Sequence, residues 1–146
     1  MQKIAMLVIL MVSAQISLGE NIIESDNDTS VFEGFIIGKY FLLGKAVNSH
    51  KTYFGEITLE GTKSGIKITR SINGKTIKGT AALEKTMGDN VSVLRMRFEE
   101  NQIKYETTCL ISSDLDNYAR MTCHVYEPGK STKNPGLEAL FINPNT

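Results

Sequence analysis

Two cysteines (Cys109, Cys123), two histidines (His50, His124), the carboxylate pair Glu99-Glu100 and Arg70 are the side chains of this sequence that could carry chemistry. A thiol can act as a nucleophile, a histidine as a base or metal ligand, and paired carboxylates as acid and base. Spacing removes most of these options. Neither histidine has companions at metal-ligand spacing. Glu99 and Glu100 point to opposite sides of an extended chain, so they cannot share one reaction and read instead as a solvated hairpin tip. No glycine-rich phosphate loop is present. The expectation is a protein that is not an enzyme and uses no catalytic residue, cofactor or metal.

The cysteines can be read only once their compartment is known. The chain opens MQKIAMLVILMVSAQISLGE, with Lys3, an apolar run over residues 4–12, and then Ser17 and Gly19 placed before a cleavage after Gly19. This pattern predicts a secretory signal peptide over residues 1–19, since the run is too short to span a bilayer. The alternative is a buried N-terminal helix. Residues 20–34 are polar and acidic and read as a flexible arm, which leaves residues 35–146 as the domain. In a secreted protein, extracellular or periplasmic if bacterial, Cys109 and Cys123 are expected to form a disulfide; a free, buried pair is the alternative. The sequons at Asn27 (NDT) and Asn90 (NVS) would accept glycans in a eukaryote. Sixteen basic residues balance sixteen acidic ones, with no basic block and no basic amphipathic helix. Nucleic-acid binding and stable membrane insertion are therefore not expected.

The elements that must position these residues are short, alternating and separated by turn formers. Extended segments are predicted over residues 37–47, 51–60, 65–72, 75–84, 91–99, 103–111, 117–127 and 136–142. Asn73-Gly74 is a strong hairpin signal, and Asn101-Gln102 marks another tight connection. Eight strands in simple succession imply an all-β, antiparallel up-and-down barrel, which leaves no open edge. Alternation turns Tyr53, Ile57 and Leu59 inward, then Ile66, Ile68 and Ile72, then Ile77, Gly79, Ala81 and Leu83. It does the same for Leu94, Met96 and Phe98, for Ile103, Tyr105, Cys109 and Ile111, and for Ala119, Met121, Cys123 and Val125. If the sixth and seventh strands pair about Asp116, Cys109 falls directly opposite Cys123. Hydrophobic pattern and strand register thus agree on one cross-strand disulfide.

The stretch SSDLDNYARMTC, residues 112–123, resembles the second signature of the lipocalins, a turn triplet leading into a strand that ends on cysteine. Ser113, Asp114 and Leu115 occupy the triplet, and Asn117, Tyr118 and Ala119 match the strand start. Gly38-Lys39-Tyr40 is similar to the first signature, with Tyr40 in place of tryptophan. No arginine follows Cys123, so the third signature has no direct match, and Arg120 is a candidate replacement. The resemblance covers most of residues 38–123 and implies a short lipocalin-like barrel of the broader calycin group. Independently of that resemblance, Asp114 and Asn117 can fix a turn through their own backbone. Tyr40 can plug one barrel end while its hydroxyl finds a partner.

An eight-stranded barrel is either filled by its own side chains or holds one small ligand. Small inward residues (Gly55, Gly79, Ala81, Ala119) would leave room, and the resemblance favours a cavity. The expected lining is Tyr53, Ile57, Ile68, Arg70, Ile77, Leu94, Met96, Phe98 and Tyr105, suited to a small hydrophobic or amphipathic molecule. Arg70 breaks the apolar rule of its face and sits near the mouth. There it would meet a polar or anionic head group, snorkel to solvent, or pair with an acidic neighbour. The loop over residues 127–136, with Lys130 and Lys133, would border the same opening. The alternative to a carrier is an inhibitor or decoy that binds a secreted or cell-surface protein through its loops and outer face. Phe54, Tyr118, Arg120 and Tyr126 would form that surface. An isomerase or synthase inside the cavity is a third reading.

Overall fold

A computed structural model of the chain describes residues 34–86, 88, 91–111 and 119–144. The expected signal peptide, the expected arm up to residue 33, Asn27 and Asn90 of the two sequons, and the turn with Asp114, Asn117 and Tyr118 lie outside the described residues. Eight strands follow in order: β1 Gly38–Lys45, β2 Thr52–Thr62, β3 Gly65–Ile72, β4 Lys75–Lys85, β5 Ser92–Glu100, β6 Ile103–Ile111, β7 Ala119–Tyr126 and β8 Gly136–Ile142. Each pairs with its chain neighbours, and β8 returns to β1, giving the closed antiparallel barrel that alternation predicts. Closure runs from Tyr40 opposite Ile142 to Lys45 opposite Leu137. Among the described residues no helix is long and apolar enough to cross a membrane.

The hairpin signals act through backbone conformation. Asn73 and Gly74 both adopt positive φ, 51° and 75°, the pairing that lets a two-residue turn match the strand twist. Asn101 and Gln102 do the same at 51° and 65°, with a glutamine held where glycine or asparagine is usual. These turns, with the β1–β2 and β7–β8 loops, form one end of the barrel, the mouth. Asn48 joins the two longer loops there: its N–H donates to the Asn134 carbonyl at 2.9 Å, and its Oδ1 accepts from the Asn134 N–H at 3.2 Å.

The disulfide forms where register places it, with Cys109 directly opposite Cys123 across β6 and β7. Closing a loop of this length contributes roughly 3 kcal/mol in the chain-entropy picture. At the end opposite the mouth, Tyr40 is buried and its hydroxyl donates to the Ile36 carbonyl at 2.8 Å. Arg120 stacks its guanidinium 4.3 Å over the Phe35 ring nearby and favours the Tyr40 phenolate, although burial still pushes that phenol up. Inward assignments hold along the strands, with two differences. Ile103 is half-exposed because it closes a hairpin at the rim, where few neighbours can cover it. Thr107, on the same face of β6, is fully buried; its hydroxyl lies 3.6 Å from Cys109 Sγ.

Outside the barrel, an ionic clamp ties β4 to β7. Arg95 reaches Glu84 and Glu106, each at 2.8 Å, and Arg97 reaches the same two carboxylates at 2.8 and 2.7 Å. The Tyr126 hydroxyl donates to Glu106 at 2.5 Å. Hydrogen bonding to Arg97 holds the Glu84 carboxyl below its usual range. Burial raises Glu106, but Tyr126, Arg95 and Arg97 together bring it below the ordinary value. A carboxylate depressed in the folded state stabilises fully above its unfolded pKa of about 4.3 and progressively less as pH falls through its folded value. Urea midpoints should therefore fall as pH drops below about 4.3, and Arg97→Gln should flatten that fall. Equal acid slopes in the two proteins would show that the clamp does not set the acid response.

Candidate ligand site at the barrel mouth

Alternation along β3 places Arg70 on the same inward face as Ile66, Ile68 and Ile72, and the barrel leaves it only 2 % exposed. A guanidinium so placed must find an anion and hydrogen-bond acceptors nearby. Glu138 on β8 supplies both. Arg70 Nη1 donates to Glu138 Oε2 at 3.0 Å and Nη2 to Oε1 at 2.5 Å, an end-on, two-pronged pair. The Tyr53 hydroxyl donates to the same Oε1 at 2.5 Å.

The register explains how these groups meet. On β1, Gly44 lies opposite Tyr53 of β2 on one side and opposite Glu138 of β8 on the other. The Tyr53 ring crosses the space above Gly44 to reach Glu138, and a Cβ at position 44 would fall inside that ring. Cys123 is the next neighbour of Glu138, so the disulfide, Glu138, Gly44 and Tyr53 form one continuous row around the wall. One face of the Arg70 guanidinium lies 4.0 Å over the Phe98 ring, and Phe98 stacks on Tyr105 with ring centroids 5.6 Å apart.

The electrostatics follow from this packing. Burial alone would lower the Arg70 pKa, but the Glu138 carboxylate and Tyr53 more than offset it, so the net direction is up. Burial and the adjacent Glu138 carboxylate push the Tyr53 phenol well above its ordinary value. Arg70 is therefore a cation and Tyr53 a proton donor at any physiological pH. Arg70 Nε is buried and has no hydrogen-bond partner among the described residues.

Above this polar floor the barrel opens into a recess of about 160 Å³. Its walls are Val47, Ile72, Phe98, Tyr105 and Val125, with Tyr53 and Arg70 below and Asn73 and Glu100 at the rim. The sequence-expected lining divides here. Tyr53, Arg70, Phe98 and Tyr105 come together at the recess. Ile57 and Ile77 flank Arg70 on the neighbouring strands, and with Ile68, Leu94 and Met96 they are packed in the core. Gly55 and Gly79 do not open that interior, because Ile72 closes on the first, and Phe98 and Ile68 on the second. Arg70 is near the mouth as expected, but its charge is met by Glu138.

Sequence reasoning missed Glu138. The only signal is its parity with Leu140 in GLEALFI, and Leu137 and Ala139 offer an equally apolar opposite face. The surface expected from Phe54, Arg120 and Tyr126 does not form. Phe54 is exposed on β2, Arg120 packs on Phe35, and Tyr126 belongs to the ionic clamp; Tyr118 lies outside the described residues. Exposed Leu43, Leu110 and Leu137 instead border a groove of about 670 Å³ on the outer wall of β1, β8, β7 and β6. Lys130 is held by Glu127 at 2.5 Å within the mouth loop. Among the described residues no group of histidine, cysteine and carboxylate side chains could hold a metal ion.

No protein-family model matches the chain, and no curated protein matches its sequence.

The buried pair sets a stability test. Arg70→Met and Glu138→Leu should each cost about 3–5 kcal/mol in urea unfolding, because each strands its partner's charge. The double variant should lose less than either single one. Additive losses would mean that the two residues are not coupled.

Proposed function

We propose that this is a secreted, lipocalin-like, non-enzymatic binding protein that takes one compact amphipathic molecule at the barrel mouth. The observation that carries the reading is the recess itself, where inward packing gives way to a space with aromatic walls and a preorganised polar floor. Ligand sites combine apolar walls with a few fixed polar groups in this way. The volume limits the guest. Pockets for drug-sized ligands run to roughly 300–1,000 Å³, and here the interior below is occupied by Ile68, Leu94 and Met96, all fully buried. A ring or short chain fits that space, whereas a long acyl tail does not.

Native mass spectrometry of the oxidised, secreted protein, with identification of whatever denaturation releases, tests the proposal. A stoichiometric small amphiphile is expected, and Val47→Trp, which fills the recess without touching the Arg70–Glu138 pair, should abolish its retention. A clean apo mass, together with no uptake of apolar fluorescent probes, would rule the carrier reading out.

The outer wall supports a second reading, a module that binds a secreted or cell-surface protein. Leu43, Leu110 and Leu137 project from β1, β6 and β8 into one groove that β7 crosses with Thr122 and His124, and exposed apolar surface of this kind marks interaction sites. Leu43→Lys with Leu110→Lys should then abolish binding of the labelled protein to its cell-surface target, while Val47→Trp leaves it intact. The opposite pattern would return the function to the mouth.

A further inference from the structure

We propose that the recess selects a compact, protonated monoamine, its ammonium group paired with the Glu100 carboxylate at the rim beside Tyr105. The inference rests on the recess being the binding site and specifies what it binds. Of the side chains that line the recess, only Arg70 and Glu100 carry charge. Arg70 is matched at contact by Glu138, so the floor has no net charge to offer a ligand. Glu100 is not matched. Its carboxylate forms no ion pair or hydrogen bond among the described residues. Alternation along β5 puts it on the inward face of Phe98, two residues nearer the mouth and only half-buried. It lies opposite Ile103 and diagonal to Tyr105, a spacing that long side chains bridge.

The lysines nearest this rim do not cancel that charge. Lys130 is taken by Glu127. Lys75 lies opposite Ile72 at the start of β4, exposed and outside the recess lining. The Tyr105 phenol senses the balance: burial pushes it up, Glu127 and Glu100 push it further, and only Lys130 opposes them. A cation is therefore what this rim favours. An ammonium group brings three N–H donors, enough for the carboxylate and the phenol oxygen, and the Tyr105 ring adds an aromatic face. The hydrocarbon part of the amine lies below, among Val47, Ile72, Phe98 and Val125. A ligand carboxylate would meet Glu100 at the rim and Glu138 behind the floor, with no uncompensated cation lining the recess. A neutral polar group would leave Glu100 without a counter-charge.

The test uses one ring with three substituents: benzylamine, benzyl alcohol and benzoate, titrated into the oxidised protein at neutral pH. Affinity is read from the methyl NMR signals of Val47 and Val125. Benzylamine should bind about five-fold more tightly than the alcohol of the same shape, and added salt should narrow that gap. Benzoate should bind most weakly. Glu100→Gln, a change at a half-buried strand end, should bring amine and alcohol to equal affinity and leave the alcohol as it was. Val47→Trp should remove all the shifts. Equal binding of amine and alcohol to the unaltered protein would overturn the inference but leave the recess as a binding site. So would a preference for the amine that survives Glu100→Gln. Preference for benzoate would overturn it too, and would give the rim's charge to its lysines. Absence of any shift with all three compounds would sink both the inference and the reading beneath it.

Discussion

A guanidinium inside a closed barrel cannot be left to solvent, and much of the mouth is arranged around that constraint. At 2 % exposure, Arg70 needs a counter-charge and acceptors within reach of a fixed wall. Glu138 provides them from five strands away in sequence, and Tyr53 takes up a further lone pair of that carboxylate. Tyr53 reaches it only because position 44 has no side chain. Phe98 then fills the space against the guanidinium face, and Tyr105 packs on Phe98. The polar floor and the aromatic wall of the recess are thus one packing solution.

Below that floor the barrel behaves as a conventional core. Inward isoleucines, leucines and methionines from successive strands interdigitate to near-complete burial, and small residues admit neighbours rather than space. An eight-stranded barrel has an interior just wide enough to be filled in this way. The change from filled core to open recess comes at the layer of Arg70, where a large charged group replaces an isoleucine-like volume. The outer surface uses charge differently. The Glu84–Arg95–Arg97–Glu106 clamp is partly hydrated and joins strands already paired by their ladders, so it reinforces the wall and forms no site.

The fold was largely legible in the sequence because a period of two is visible wherever one face is apolar. Ile66, Ile68 and Ile72, or Leu94, Met96 and Phe98, leave little choice of face, and the hairpin pairs Asn73-Gly74 and Asn101-Gln102 fix where strands end. Cys109 and Cys123 could be matched because register about a single turn is simple arithmetic. The site was only half legible. Arg70 stood out as a charge on an apolar face, but its partner lies on β8, where both faces of GLEALFI carry apolar residues and the glutamate could point either way. The role of Gly44 was hidden for a similar reason. It depends on which strands flank β1, and one of those flanks, β8, is brought there only by closure. Cavity volume was not legible either, since glycine on an inward face is compatible with both a void and a close approach.

Among the described residues the β1–β8 ladder is the only one that joins strands distant in the chain; all the others connect sequence neighbours. Hairpins of neighbouring strands can form early, whereas a contact spanning nearly the whole domain waits on the entropy of closing a long loop. Glu138 arrives with that last strand. Until it does, Arg70 and Tyr53 face water from an open sheet, where an unpaired guanidinium carries no burial penalty. The recess therefore has no precursor in a partly zipped chain, and it appears in the same step that seals the barrel. A guest bound there, if the recess takes one, would act by mass action on the closed form alone, and its binding would report completed folding.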